Sequence, residues 1–263
     1  MRVLAEILER KRAELPEIRA LSLPAPPPRR PFDLRRSAGS GLGLIAEIKR
    51  RSPSAGPLST ELGVADRARV YASSGADAIS VLTDAQYFDG AWSHLGEARA
   101  AQSLPLLCKD FVIDEAQLDA ARAFGADAVL LIVRCLEPTR LPTLLAAAAE
   151  RELDALVEVA TEEEADRALE AGATLVGVNA RDLDTLAMDP ARAGRVLDRL
   201  GTGVVRVHLS GLAAAADVER VAKSGVDAAL IGEALMRQAD PSALLATLRR
   251  AAGPKLATKP SAG

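Results

Sequence analysis

Cysteine is nearly absent. Cys108 and Cys135 are the only two, and such a pair cannot build a disulfide framework or, by itself, a zinc site. Aromatic residues are scarce too: four Phe, two Tyr and one Trp in 263 residues, too few for a surface on which nucleic-acid bases stack. Neither charge sign dominates. The 33 Lys plus Arg against 36 Asp plus Glu leave a net charge of −3, with no basic excess for a polyphosphate backbone. No apolar run approaches the roughly 18 residues that span a bilayer. Arg2, Glu6, Glu9, Arg10 and Lys11 leave no uncharged signal-peptide core at the start. The expectation is a soluble cytoplasmic protein with no nucleic-acid and no membrane partner. What the chain does have is an ordinary globular mixture, 49% hydrophobic and 26% charged, at a length that suits one large domain or two small ones.

Short apolar runs recur, beginning near Leu44, Ala78, Pro105, Ala128, Ala155, Leu175, Val205 and Ala229, about 20 to 34 residues apart. Continuous rather than alternating apolarity is what parallel strands covered on both faces require. Helical spacing fills the intervals, for example Val64 to Tyr71, Glu115 to Phe124 and Asp217 to Ser224. Thr161 stands three residues ahead of Glu164, a capping-box spacing. One phrase closes helix after helix: Gly75-Ala76-Asp77, Gly125-Ala126-Asp127, Gly172-Ala173-Thr174 and Gly225-Val226-Asp227. A helix that stops on glycine and feeds a strand is the αβ joint of an α/β protein. Eight such units predict a closed (β/α)8 TIM barrel. The competing architecture, an open doubly wound sheet, lacks its GxGxxG after the first strand.

Residues 1–43 precede the barrel. Val3, Leu4, Ile7 and Leu8 give Met1 to Leu15 helical periodicity, and Leu23 to Pro31 carries five prolines, so it is extended. This segment reads as an extra N-terminal helix tied to the barrel. Its Arg29, Arg30, Arg35 and Arg36 read as a solvated charged face. The barrel spans 44–252, and 253–263 reads as a frayed tail.

The informative residues are the charges inside strand runs, because a barrel interior is otherwise apolar. Glu47 and Lys49 lie two apart on one face of the first strand. Lys109-Asp110 end the third strand, Glu158 the fifth, Asn179 the sixth and Ser210 the seventh. All fall at the C-terminal rim, where barrel enzymes place their chemistry. Asp110 alone reads as a solvated strand end or a helix cap. Two lysines and two glutamates from three strands are different, because charges seldom repay desolvation for stability alone. Burial lowers a lysine pKa and raises a glutamate pKa, and opposite partners reverse both. Such a set can donate and accept protons near neutral pH, as a dehydration or ring closure requires. Ser210-Gly211 after the seventh strand and Gly232-Glu233 after the eighth offer a phosphate cradle of backbone N–H groups.

These residues also resemble a known family. Ile45-Ala46-Glu47-Ile48-Lys49-Arg50-Arg51-Ser52-Pro53-Ser54 resembles the signature of indole-3-glycerol phosphate synthase. Ile79 to Thr83, Tyr87-Phe88-Asp89-Gly90, Leu107 to Phe111, Leu156 to Val159, Gly177 to Leu183 with its NxRDL pattern, Ser210-Gly211 and Leu230 to Met236 are similar to its later motifs, in order. The resemblance implies conversion of 1-(2-carboxyphenylamino)-1-deoxyribulose 5-phosphate to indole-3-glycerol phosphate, with loss of carbon dioxide and water and with no metal or other cofactor. It implies Lys109 as general acid, Lys49 as partner of the substrate carboxylate, and Glu158 as general acid/base. Glu47 would orient Lys49, and Asn179 would hydrogen-bond the sugar hydroxyls. Ser52, Arg181, Ser210, Gly211, Gly232 and Glu233 would position the substrate or its phosphate. Phe88 and Phe111, in rim loops, either stack on the anthranilate ring or simply pack under those loops. It further implies a monomer or weak homodimer, with association to other tryptophan-pathway enzymes left open.

One position departs. The family often carries Glu before the Ser-Gly of strand seven, where this chain has Leu209. The mouth then holds one carboxylate fewer. His208 could compensate, but it reads as a packed strand residue; His94 reads as surface. Two alternatives stay open at this point: another phosphate-handling barrel lyase or isomerase, and a non-catalytic ligand-binding paralogue, which Leu209 favours.

Overall fold

The structure is a computed structural model that describes residues 3–36, 40–53, 55–181 and 187–256. Eight strands, β1 (Gly43–Ile48), β2 (Ala78–Leu82), β3 (Leu106–Lys109), β4 (Ala128–Ile132), β5 (Asp154–Val159), β6 (Leu175–Val178), β7 (Val205–His208) and β8 (Ala228–Ile231), pair in chain order, all parallel. The sheet closes through β8 on β1, with Ala46 opposite Ile231. Closure excludes the open doubly wound alternative. Helix α1 (Val3–Arg19) precedes the barrel. The others follow in order: α2 (Val64–Ser74), the single turn α3 (Ala85–Phe88), α4 (Trp92–Ala101), α5 (Glu115–Ala123), α6 (Arg140–Glu150), α7 (Glu162–Glu170), α8 (Pro190–Leu200), α9 (Ala215–Lys223), the single turn α10 (Glu233–Met236) and α11 (Ser242–Ala252). Ser54, Asp182 and Leu183 of the family motifs, residues 1–2 and the tail from 257 onward lie outside the described residues.

Strand periodicity divides the core in two. Ile45, Leu107, Leu156 and Val207 pack inside the barrel. Leu44, Ala46, Leu106, Cys108 and Val157 pack outward against the helices. Each fully buried Leu, Ile or Val stabilises by roughly 1.5–3 kcal/mol, so a one-residue slip would move every such side chain to the wrong layer. Glu47, Lys109, Glu158 and Asn179 share the inward parity and therefore point into the barrel mouth.

The αβ joints do more than stop helices. Gly125 adopts φ 100°, a left-handed conformation, and a Cβ there would meet the Arg99 stem at 3.0 Å. The aspartates that follow secure neighbouring strand starts. Asp127 accepts the Leu106 N–H (2.9 Å), the Arg30 N–H (2.7 Å) and Arg99 Nη1 (2.7 Å). Asp77 does the same for Leu44, and Asp227 for Arg206. Thr161 caps α7 through the Glu164 N–H, as its spacing predicts, although Glu164 reaches back to the Ala160 N–H rather than to that of the cap.

The N-terminal segment covers both ends of the barrel. Leu4 and Ile7 of α1 join the interior cluster at the C-terminal mouth. Phe32 and Leu34 join it at the other end, beside Asp154, Leu175 and Val205 where β5, β6 and β7 begin. α1 also runs beyond Pro16 to Arg19, held by the buried Ile18. The four arginines are not one solvated face. Arg30 donates to the carbonyls of Leu104 and Arg99, and Arg36 to those of Ala222 and Val226. Carbonyls in the last turns of α4 and α9 and in the joints that follow need donors, and the strap supplies them.

Candidate active site

The rim of the barrel gathers the expected residues. Lys49, just past β1, places Nζ 2.7 Å from Glu47 Oε1. Lys109, the last residue of β3, places Nζ 3.8 Å from Glu158 Oε2. Glu158 Oε1 accepts the Asn179 amide at 2.9 Å, and Asn179 Oδ1 in turn accepts the Arg181 backbone N–H at 2.9 Å. Glu47 and Glu158 are buried, while both lysines keep one side toward the cleft. Burial pushes the Glu47 carboxyl upward, but Lys49 and then Lys109 outweigh it and hold the group below its ordinary value. Glu47 is thus a stable anion that fixes a cation beside it.

The cleft has two unlike ends. At one, Lys49, Arg181, Ser210, Gly211, Gly232 and Glu233 surround a polar hollow. Gly211 has φ 81°, so its N–H turns in a direction that a side-chain-bearing residue rarely allows. Gly232 has a second reason to be glycine: a Cβ there would stand 2.4 Å from Glu47 Oε1. The Glu233 carboxylate bonds Arg237 at 2.7 Å, so an anion in this hollow would meet the Glu233 backbone rather than its acid. Ser52 ends a short ribbon, Arg51–Ser52 against Gly56–Pro57, and accepts the Ala55 N–H. Arg50 ties that ribbon to Asp89 in the loop after β2 (2.9 Å).

The other end is apolar. Leu4, Ile7, Phe88, Phe111, Leu130 and Ile132 line it, with the Phe88 and Phe111 ring centroids 6.2 Å apart at 39°. Beneath α1 lies a charge cluster that sequence reasoning missed. Lys11 Nζ contacts Asp84 Oδ2 (2.7 Å), Asp110 Oδ1 (2.8 Å) and Glu14 Oε2 (3.1 Å). Asp110 is therefore neither a solvated strand end nor a helix cap. It is 3% exposed, and Asp114 caps α5 instead. One signal was available: Lys11 stands on the face of α1 that also carries Leu4 and Ile7, a lysine in an apolar stripe.

His208 does not enter the mouth. It alternates with the inward Val207 and Leu209, and Asp217 and Arg220 of α9 are its charged neighbours; burial first of all lowers its pKa. Leu209 packs inside the barrel over Gly177, where a Cβ would come within 2.6 Å of it. His94 is half-buried rather than surface, and burial lowers its pKa too. Among the described residues no helix is long and apolar enough to cross a membrane.

Fold and mouth together define the class: a (β/α)8 barrel with two amine–carboxylate pairs at its C-terminal rim, where barrel enzymes place their chemistry. Comparison narrows the class. Residues 3–248 match the family model for indole-3-glycerol phosphate synthase. The chain is 50% identical over 234 residues to indole-3-glycerol phosphate synthase 2 of Streptomyces coelicolor, covering 88% of each protein. It is 46% identical over 255 residues to indole-3-glycerol phosphate synthase of Mycobacterium avium, covering 94% of this chain and 93% of the relative. The chain belongs to the indole-3-glycerol phosphate synthase family. A solved thiamine phosphate pyrophosphorylase from Pyrococcus furiosus (TM-score 0.62, 20% identity, 80% of this chain and 95% of that one) and a 3-hexulose-6-phosphate synthase (TM-score 0.63, 20% identity, 80% and 99%) share the fold.

Proposed function

We propose that the Lys49–Glu47 and Lys109–Glu158 pairs divide the chemistry of indole-3-glycerol phosphate synthesis between them. The substrate, 1-(2-carboxyphenylamino)-1-deoxyribulose 5-phosphate, has an aromatic acid at one end and a phosphate at the other, and the cleft has an apolar end and a glycine-lined polar end. That match, with two amines and two acids between the ends, is the observation that carries the reading. The phosphate lies among Arg181, Ser210, Gly211, Gly232 and the Glu233 backbone. The ring lies against the apolar wall that Phe88 and Phe111 form together, with Ser52 near the reacting end. Lys49 pairs with the substrate carboxylate, and Asn179 binds the sugar hydroxyls.

The ring carbon bearing the carboxylate attacks the keto carbon. As the new carbon–carbon bond forms, the carbonyl electron pair moves to oxygen and Lys109 delivers the proton. Carbon dioxide then leaves, and its bonding pair restores aromaticity. The new hydroxyl departs as water with a proton from the acid partner, while the adjacent carbon gives its proton to a carboxylate. Glu158 serves as that acid/base and stabilises the cationic intermediate; Glu47 keeps Lys49 in place and supports the dehydration. The polar groups are held before substrate arrives, so little reorganisation is needed during reaction.

We place the enzyme in the cytoplasm, as a monomer or weak homodimer. Among the described residues the exposed large hydrophobics are Leu21, Leu23 and Met188, a scattered set unlike an obligate interface. Purified protein supplied with the substrate should develop the absorbance of an indole product. Folded protein that binds substrate without forming product would contradict the catalytic roles and leave the ligand-binding alternative.

A further inference from the structure

Three walls of the apolar end meet at one ammonium. Leu4, Ile7 and Lys11 share a face of α1; the first two roof the cleft, and the third lies one turn on, 2% exposed. Asp84 uses Oδ1 to accept the Tyr87 N–H (2.8 Å), capping the turn α3 that presents Phe88. Asp110 accepts the Phe111 N–H at 2.7 Å and the Thr83 hydroxyl at 2.7 Å. The two aspartates that shape the loops of Phe88 and Phe111 are thus the two that grip Lys11, at 2.7 and 2.8 Å. Resting on the placement of the substrate ring above, we infer that Lys11 is a positioning residue for the aromatic ring of the substrate, fixing the helical roof and both phenylalanines in one register.

The physics favours a single fixed arrangement. Burial lowers the Lys11 pKa, but Asp110 and Asp84 outweigh it, and the group ends above its ordinary value. The ammonium therefore stays charged throughout the working range. Two buried carboxylates cannot release it without being left unpaired in a low-dielectric pocket, so the three elements move together or not at all. Small misplacements of a bound ring away from the attacking geometry cost large factors in rate. Lys11 itself touches neither the reacting atoms nor the phosphate end.

The test compares the two ends of the cleft in the full-length protein. Anthranilate probes the ring end and inorganic phosphate the polar end, each titrated by calorimetry. Lys11→Met leaves both aspartates unpaired and lowers the thermal midpoint. The neutral variant K11M/D84N/D110N keeps amide oxygens to accept the Tyr87 and Phe111 N–H groups, and should melt close to wild type. In the neutral variant, anthranilate should bind about tenfold more weakly and phosphate within about twofold of wild type. KM for the substrate should rise by a larger factor than kcat falls. Unchanged anthranilate affinity in that variant would overturn the inference, as would equal losses at both ends. Wild-type protein that binds phosphate but not anthranilate would instead refute the placement of the ring, and the inference with it.

Discussion

Gly232 lies against Glu47. A single methyl group on Gly232 would approach Glu47 Oε1 to 2.4 Å, closer than a Cβ atom normally comes to any neighbour. The loop after β8, a phosphate cradle by resemblance, is therefore also the backstop of the acid that holds Lys49. The proposed anion-binding end and the Lys49–Glu47 pair thus share one wall.

Gly232→Ala should accordingly do more than weaken phosphate binding. The Glu47 carboxylate must move, and the 2.7 Å contact to Lys49 moves with it. We expect kcat to fall by about tenfold or more while the thermal midpoint changes by a few degrees only. Steady-state kinetics check this; an effect confined to KM would show that Glu47 had not been displaced.

The Glu47 carboxyl is held below its ordinary value, with burial opposing and Lys49 and Lys109 prevailing. A depressed acid stabilises the fold above its unfolded pKa, and that stability is lost as pH falls through the folded value. Wild type should therefore lose stability on acidification below about pH 4.5, and Glu47→Gln should lose less over the same interval. Thermal midpoints measured from pH 3 to pH 7 give the comparison.

Asp127 is fully buried and accepts bonds from two backbone N–H groups and from Arg99. Asp127→Ala would orphan the Leu106 and Arg30 donors and leave the Arg99 cation unpaired. A loss of about 3–5 kcal/mol is expected, read from urea unfolding. Activity per folded molecule should persist, because the floor of the barrel lies at the opposite end from the chemistry.

Much of this architecture is legible in the sequence for local reasons. Apolar runs place the strand starts within a residue, since a parallel strand buried on both faces must be apolar throughout. Parity then assigns Glu47, Lys109, Glu158 and Asn179 to the interior. What parity cannot reach is contact across long sequence separation. Lys11 finds Asp84 and Asp110 only after the barrel has closed. Asp110, followed closely by a helix, has the local look of a cap, and only its burial reveals otherwise. Arg30 and Arg36 mislead similarly: a run of arginines reads as solvated until the helix-end and joint carbonyls that they reach are known. Leu209 stands out in the sequence as an apolar residue where the resemblance implies an acid, but its seat over Gly177 depends on the neighbouring strand.

The account depends most on one proton. Purified Lys109→Ala, confirmed folded by its thermal midpoint, should lose about 10²- to 10⁴-fold in kcat for indole formation, with phosphate affinity at the other end of the cleft little changed. Wild-type ring-closing activity in that variant would contradict the assignment of Lys109 as the acid.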